Sequence, residues 1–135
     1  MNSGRRIALP DAVECGEHAD ERGRLRHCNA FDMSAVRRFY TISNSPGRPV
    51  RGWFLHKRET KWFWPVCGRT VLCATSRPCE SVPPPPDAVK RIVLDASAPA
   101  VQCVPPGFAF AIEQRDGAEV CVFSDVSLQE SASGA

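Results

Sequence analysis

The chain has 135 residues, 43% of them hydrophobic and 24% charged, which is enough for one apolar core and excludes wholesale disorder. Its net charge of +2, with both signs spread along the sequence, excludes the dense basic face that nucleic acid requires. Any anionic partner must therefore be small and met locally.

The opening stretch "MNSGRRIALPDAVECGEHADERG" has no apolar run long enough for a signal peptide or membrane span, so neither is expected. From there the dominant period is two. Strands are predicted near "RLRHCNAF", "VRRFYTIS", "VRGWFLHK", "TKWFWPV", "RTVLCAT", "VKRIVLDA", "AVQCV", "FAFAIEQ" and "EVCVFS". Turn chemistry separates them at "NSPGRP", "KRET", "CGR", "PPGF" and "RDGAE", and the last of these reads as a hairpin. "DMSAVRRF" has room for a short helical turn. "CESVPPPPDA" cannot continue a ladder, because proline lacks the backbone donor, and reads as an excursion between two strands. Many short strands in one compact domain point to a β-sandwich or jelly roll with a ligand cavity at its mouth.

The seven cysteines form no C-x-x-C pair and have no histidines at zinc spacing. Several sit in apolar runs, where a thiol behaves as a small hydrophobe, so a reducing cytoplasm is expected and no metal.

The segment Val50–Phe63, "VRGWFLHKRETKWF", combines rings, cations and an imidazole. On a strand Phe54 and His56 share one face, with Lys61 and Phe63 aligned likewise on the next. That face suits a flat organic ring held by stacking and oriented by a few polar groups. Taken alone, His56 is as readily a structural histidine, a solvated head is the commoner fate of a lysine such as Lys61, and Arg38 and Lys57 read as exposed charge on strand edges.

The segments "ADERGRL", "VRGWFLHK", "TKWFWPVCG", "VPPGFAF" and "VCVFSD", taken in order, resemble the cupin-type nucleotide-sugar enzymes over residues 19–131. These are the dTDP-4-dehydrorhamnose 3,5-epimerases and the dTDP-sugar 3,4-ketoisomerases. The resemblance implies an all-β, single-domain jelly roll of the cupin type, a homodimer, a nucleoside-diphosphate-sugar ligand and no cofactor. It divides the chain into an arm over 1–18 (readable as an edge strand exchanged between copies), a jelly-roll domain over 19–128 and a flexible tail over 129–135.

Carried over by position, Arg22 and Arg51 match diphosphate- and substrate-binding arginines, Lys61 the lysine at the keto oxygen, and Asp125 the carboxylate that orients the catalytic histidine. Arg51 and His56 fall on opposite faces of a regular strand, so sharing the ligand would need a bulge or a rim position. The sequence also departs from the pattern. Phe54 stands where the epimerases carry their basic histidine, Phe110 where a second histidine follows "PPGFA", and Ser43 where the ketoisomerases have tyrosine, with Tyr40 nearby. Phe54, Phe110 and Tyr40 are then wall residues of the substrate pocket. His56 is the remaining candidate base. One imidazole, with Glu59 spaced too closely for the metal motif, is a poor metal set. The expected function is proton abstraction beside the keto group of a dTDP-4-keto-6-deoxyhexose, giving isomerisation or epimerisation. The alternative is a non-catalytic sugar-nucleotide binding module or partner subunit.

Overall fold

The computed structural model describes residues 8–76, 86–115 and 117–132. Eleven strands run in the order β1 (Val13–Glu14), β2 (Gly16–Asp20), β3 (Gly23–His27), β4 (Arg38–Ile42), β5 (Val50–Leu55), β6 (Lys61–Cys67), β7 (Arg69–Thr75), β8 (Lys90–Asp95), β9 (Ala100–Val104), β10 (Ala109–Gln114) and β11 (Glu119–Ser124). One sheet has the order β1-β9-β6-β11-β4, the second β5-β10-β7-β8, and β2-β3 stands apart as a hairpin. All pairings are antiparallel. This is a jelly roll, the expected fold class.

The core lies between the two larger sheets. Phe63, Leu72, Phe108, Phe110, Ile112, Val120 and Val122 are among the side chains that fill it. The period-two pattern explains why. In β6 the buried positions are Lys61, Phe63 and Pro65, and in β11 Val120, Val122 and Ser124 occupy the same phase. Pro65 is tolerated because β9 pairs only with Lys61–Phe63, leaving the later part of β6 without a ladder on that side. Arg26 of the hairpin occupies that edge. Its guanidinium donates to the carbonyls of Pro65 (3.4 Å) and Val66 (2.6 Å) and lies 4.9 Å from the Trp64 ring.

Several expectations require correction. The "RDGAE" segment does turn tightly, with the Ala118 amide donating to the Arg115 carbonyl at 3.2 Å. It is no hairpin, however, because β10 and β11 enter different sheets. Turn chemistry reports a chain reversal but not which sheet receives the next strand. The true hairpin is β2-β3, whose first strand "GEHAD" is too polar to show a buried face. "DMSAVRRF" forms a turn, with the Val36 amide on the Met33 carbonyl at 3.0 Å, and no helix. Most of the proline-rich excursion lies outside the described residues, as does the start of the 1–18 arm. Within that arm β1 pairs with β9 of the same chain, and β2 crosses the boundary drawn at residue 18. A short helix, α1 (Leu128–Ala132), covers the start of the tail. Ser127 and Glu130 close a capping box at its start, at 3.1 and 3.0 Å. No helix among the described residues is long and apolar enough to cross a membrane.

None of the described thiols at positions 15, 28, 67, 73, 103 and 121 is in a disulfide. Burial pushes Cys73, Cys103 and Cys121 above the usual thiol range. Burial, then a hydrogen bond with Cys28, pushes Cys15 up to about 12. These thiols are protonated packing groups.

The pairing of β5 with β10 contains the feature that matters most for the site. Phe54 faces Phe110, but the next pairs are Gly52 with Ala111 and Arg51 with Ile112, so Trp53 is the extra residue of a bulge. Directly opposed residues point to one face, which puts Arg51, Phe54, Phe110 and Ile112 on the core-facing side. Gly52 sits at φ +136°, and a Cβ there would lie 2.7 Å from the Ala111 Cα. Gly52→Ala is expected to cost about 2 kcal/mol or more, from strain plus a backbone clash. Urea unfolding checks this; a wild-type midpoint would show that β5 can move away from β10.

Candidate functional site

The cross-strand register of the five-stranded sheet assembles a row of polar groups at one end of the core. Ser124 of β11 stands opposite Arg38 of β4 on one side and Lys61 of β6 on the other. Their side chains therefore share the inner face. Tyr40 follows Arg38 two positions along the same strand. Its hydroxyl is 2.6 Å from the Lys61 ammonium, and the Arg38 guanidinium lies 5.0 Å from its ring.

Glu59 enters this row from the connection between β5 and β6. It is 1% exposed. Its Oε2 accepts from the Ser124 hydroxyl at 2.5 Å and lies 3.4 Å from Arg38 and 3.6 Å from Lys61. Its Oε1 has no hydrogen-bond partner and lies 3.4 Å from His56 Nδ1. Two cations offset one buried carboxylate, which is what burial of an ionised group requires.

The opposite sheet supplies the apolar wall. Phe110 packs against Phe54 at 5.5 Å between ring centroids and against Phe63 at 5.3 Å, and it stacks with His56 at 6.0 Å. The Lys61 ammonium is 5.7 Å from the same ring. Phe110 thus touches both the imidazole and the ammonium. His56 is held at its backbone, where the carbonyl accepts from the Gly107 amide of the "PPG" turn at 2.9 Å.

The expected site residues divide into two groups. His56, Lys61, Tyr40, Phe54 and Phe110 come together. Arg51 shares their face of the sheet through the bulge, with an exposed side chain. Asp125 stands at the edge of the group. Its Oδ1 accepts from the Thr60 amide at 2.9 Å, and its own amide donates to the Thr60 carbonyl at 3.3 Å, so it clamps the residue between Glu59 and Lys61. The carboxylate at His56 Nδ1 is that of Glu59. Arg22 lies at the hairpin tip, with Nη2 on Asp20 at 2.6 Å. That pairing raises the arginine and lowers the Asp20 carboxyl.

Glu59 and Ser124 were missed as site residues, and Arg38 was read as solvated charge. Ser124, Arg38 and Lys61 carried a signal, being polar residues at the core phase of alternating strands. Glu59 carried none, because "KRET" looks like any polar turn. Among the described residues, no group of three or more His, Cys, Asp or Glu side chains is placed to hold a metal.

The jelly roll, with rings and charges meeting between its two larger sheets, is an architecture shared with solved structures of sugar-nucleotide enzymes. The solved structures with this architecture include a variant of the 3,4-ketoisomerase QdtA from Thermoanaerobacterium thermosaccharolyticum in complex with TDP-4-keto-6-deoxyglucose. It is 18% identical, with 90% of this chain and 83% of that one covered at a TM-score of 0.66. The Mycobacterium tuberculosis rmlC epimerase is 16% identical, with coverage of 93% and 70% and a TM-score of 0.68. A variant of ChmJ, a 3'-monoepimerase from Streptomyces bikiniensis in complex with dTDP, is 16% identical, with coverage of 93% and 68% and a TM-score of 0.69. No family model matches the sequence, and no curated protein matches it. At these identities the likeness establishes the fold.

The buried cluster makes a stability prediction. Ser124→Ala removes a hydrogen bond to a buried carboxyl group beside two cations and is expected to cost about 1.5–3 kcal/mol in denaturant unfolding. A change near zero would mean that Glu59 does not depend on the hydroxyl.

Proposed function

We propose that the protein is a nucleotide-sugar isomerase or epimerase that removes a proton next to the keto group of a dTDP-4-keto-6-deoxyhexose. The observation that carries this reading is the common neighbour Phe110, with an imidazole stacked on it and an ammonium 5.7 Å from its ring. Abstraction of a proton α to a carbonyl needs a base that titrates near neutrality and a cation or donor at the forming enolate oxygen. His56 is the base. Lys61 and the Tyr40 hydroxyl serve the oxygen. Phe54 and Phe110 take the flat faces of the ligand, and Arg51, on the same face of the sheet, takes a phosphate.

Removing the C3 proton gives an enediolate across C3 and C4. Returning the proton to C4 moves the keto group to C3, whereas returning it to C3 from the other side inverts that centre. The folds listed above belong to proteins that carry out one or other of these reactions or bind the corresponding nucleotide, which supports the ligand class. Self-association belongs to the same reading: Phe39 and Leu25 are 68% and 58% exposed, and Arg22, paired with Asp20, has an exposed side chain on the hairpin. A place in carbohydrate biosynthesis would follow from the ligand class, and the unbridged thiols among the described residues fit a reducing cytoplasm.

A second reading keeps the ligand without turnover, as a binding module or partner subunit. It is favoured by the contact of Phe54 with Phe110, which places hydrocarbon at both positions where the resemblance has histidines.

Incubation with dTDP-4-keto-6-deoxyglucose in deuterated water, followed by proton NMR, separates the two. Deuterium is expected at C3, and His56→Ala is expected to slow exchange by about 100-fold or more. Tight binding with no exchange would establish the binding module, and unchanged exchange in the variant would remove His56 as the base.

A further inference from the structure

We infer that Glu59 is the positioning residue for His56: its Oε1 holds the proton on Nδ1, which makes Nε2 the basic atom. The role of His56 as base belongs to the reading above, but the pairing itself can be tested without any substrate.

The inference stands on how the two carboxylate oxygens are used. Oε2 is saturated, with Ser124, Arg38 and Lys61 around it. Oε1 has no hydrogen-bond partner and is buried. A buried carboxylate oxygen left unpaired costs free energy comparable to a lost hydrogen bond. The polar hydrogen that can settle this deficit belongs to His56 Nδ1, 3.4 Å away. The contact is loose, as such contacts often are before substrate closes the site.

At 3.4 Å the reverse tautomer is disfavoured, since an unprotonated Nδ1 would bring its lone pair close to those of Oε1. Orientation is secured independently of the pair. The His56 carbonyl is tied to the Gly107 amide, the ring stacks on Phe110, and Thr60, next to Glu59, is clamped by Asp125 on both its amide and its carbonyl. When Nε2 takes a proton from substrate, Glu59 faces the new imidazolium and offsets its charge, a role parallel to that of the buried carboxylate in a hydrolase triad. Asp125, engaged with Thr60, sets the loop rather than the ring.

The test is the tautomer itself. Ring-nitrogen NMR shifts of uniformly ¹⁵N-labelled protein, assigned by loss of signal in His56→Gln, are read in alkaline buffer where imidazole is neutral. The expected result is a protonated Nδ1 and a pyridine-type Nε2. Glu59→Gln, which preserves shape, is expected to give a mixture of tautomers, and Asp125→Asn to leave the wild-type pattern. With substrate, Glu59→Gln is expected to lower kcat by about 100-fold while KM changes less than about threefold, because the lost interaction acts in the transition state.

A dominant Nε2–H tautomer in the wild-type protein overturns the inference whether or not the variants fold. A tautomer shift in Asp125→Asn with none in Glu59→Gln overturns it as well. An Nδ1–H tautomer without proton exchange on the sugar nucleotide would support the pairing while defeating the proposed reaction, so the two failures are distinguishable.

Discussion

The structure depends on one carboxyl group kept out of water. Glu59 lies between the sheets with Arg38 and Lys61 within 3.6 Å. Transfer of a lone carboxylate into such a place costs several kcal/mol even after relaxation, and removing one partner of a buried pair typically costs about 3–5 kcal/mol. The cluster is therefore not an incidental stabiliser; its components must all be present at once. It also fixes register. A slip of one residue in β4 or β6 would carry Arg38 or Lys61 to the outer face and leave Glu59 facing hydrocarbon. Ser124, opposite both, locks β11 between them. The polar turn between β5 and β6 folds inward because its carboxylate has this row to meet, and His56 is brought in with it.

The second requirement is dryness. Phe110 is 4% exposed and contacts Phe54, Phe63 and His56. Phe110 on one wall and the charges on the other are both shut off from water, and the low local dielectric there strengthens the Tyr40–Lys61 contact. Phe110 thus places hydrocarbon beside both the imidazole and the ammonium.

Much of this was legible in the sequence. Nine strands, the jelly-roll class and the meeting of His56, Lys61, Tyr40, Phe54 and Phe110 follow from period-two alternation and ordered motifs. Alternation also explains the failures. It reports which face a residue takes within a strand, so it could mark Ser124 and Arg38 as polar residues in core phase. It has no purchase on a connection, where Glu59 sits. Nor can it foresee the bulge at Trp53, since the extra residue is defined by pairing with β10. The "RDGAE" turn was read correctly as a reversal and wrongly as a hairpin, because sheet membership is set by packing of the whole core. The β2 strand was invisible because both its faces are polar.

The arrangement of proton-handling groups bears on which reaction the proposed function would involve. His56 follows β5 in the four-stranded sheet, whereas Tyr40, the single tyrosine of the chain, lies on β4 in the other. The two groups thus belong to opposite walls. Migration of a keto group draws on one base that lifts a proton and returns it one carbon along, work that a single wall can do. Under the proposed function, inversion of a centre would need a donor on the far side of the sugar ring, and the Tyr40 hydroxyl, hydrogen-bonded to Lys61 at 2.6 Å, is the candidate on the wall opposite His56. A phenolic oxygen that serves the enolate cannot at the same moment protonate the opposite carbon. On that reading the demands on Tyr40 are exclusive, and with one tyrosine and one imidazole in the group, keto migration would ask less of this chain than inversion at two centres.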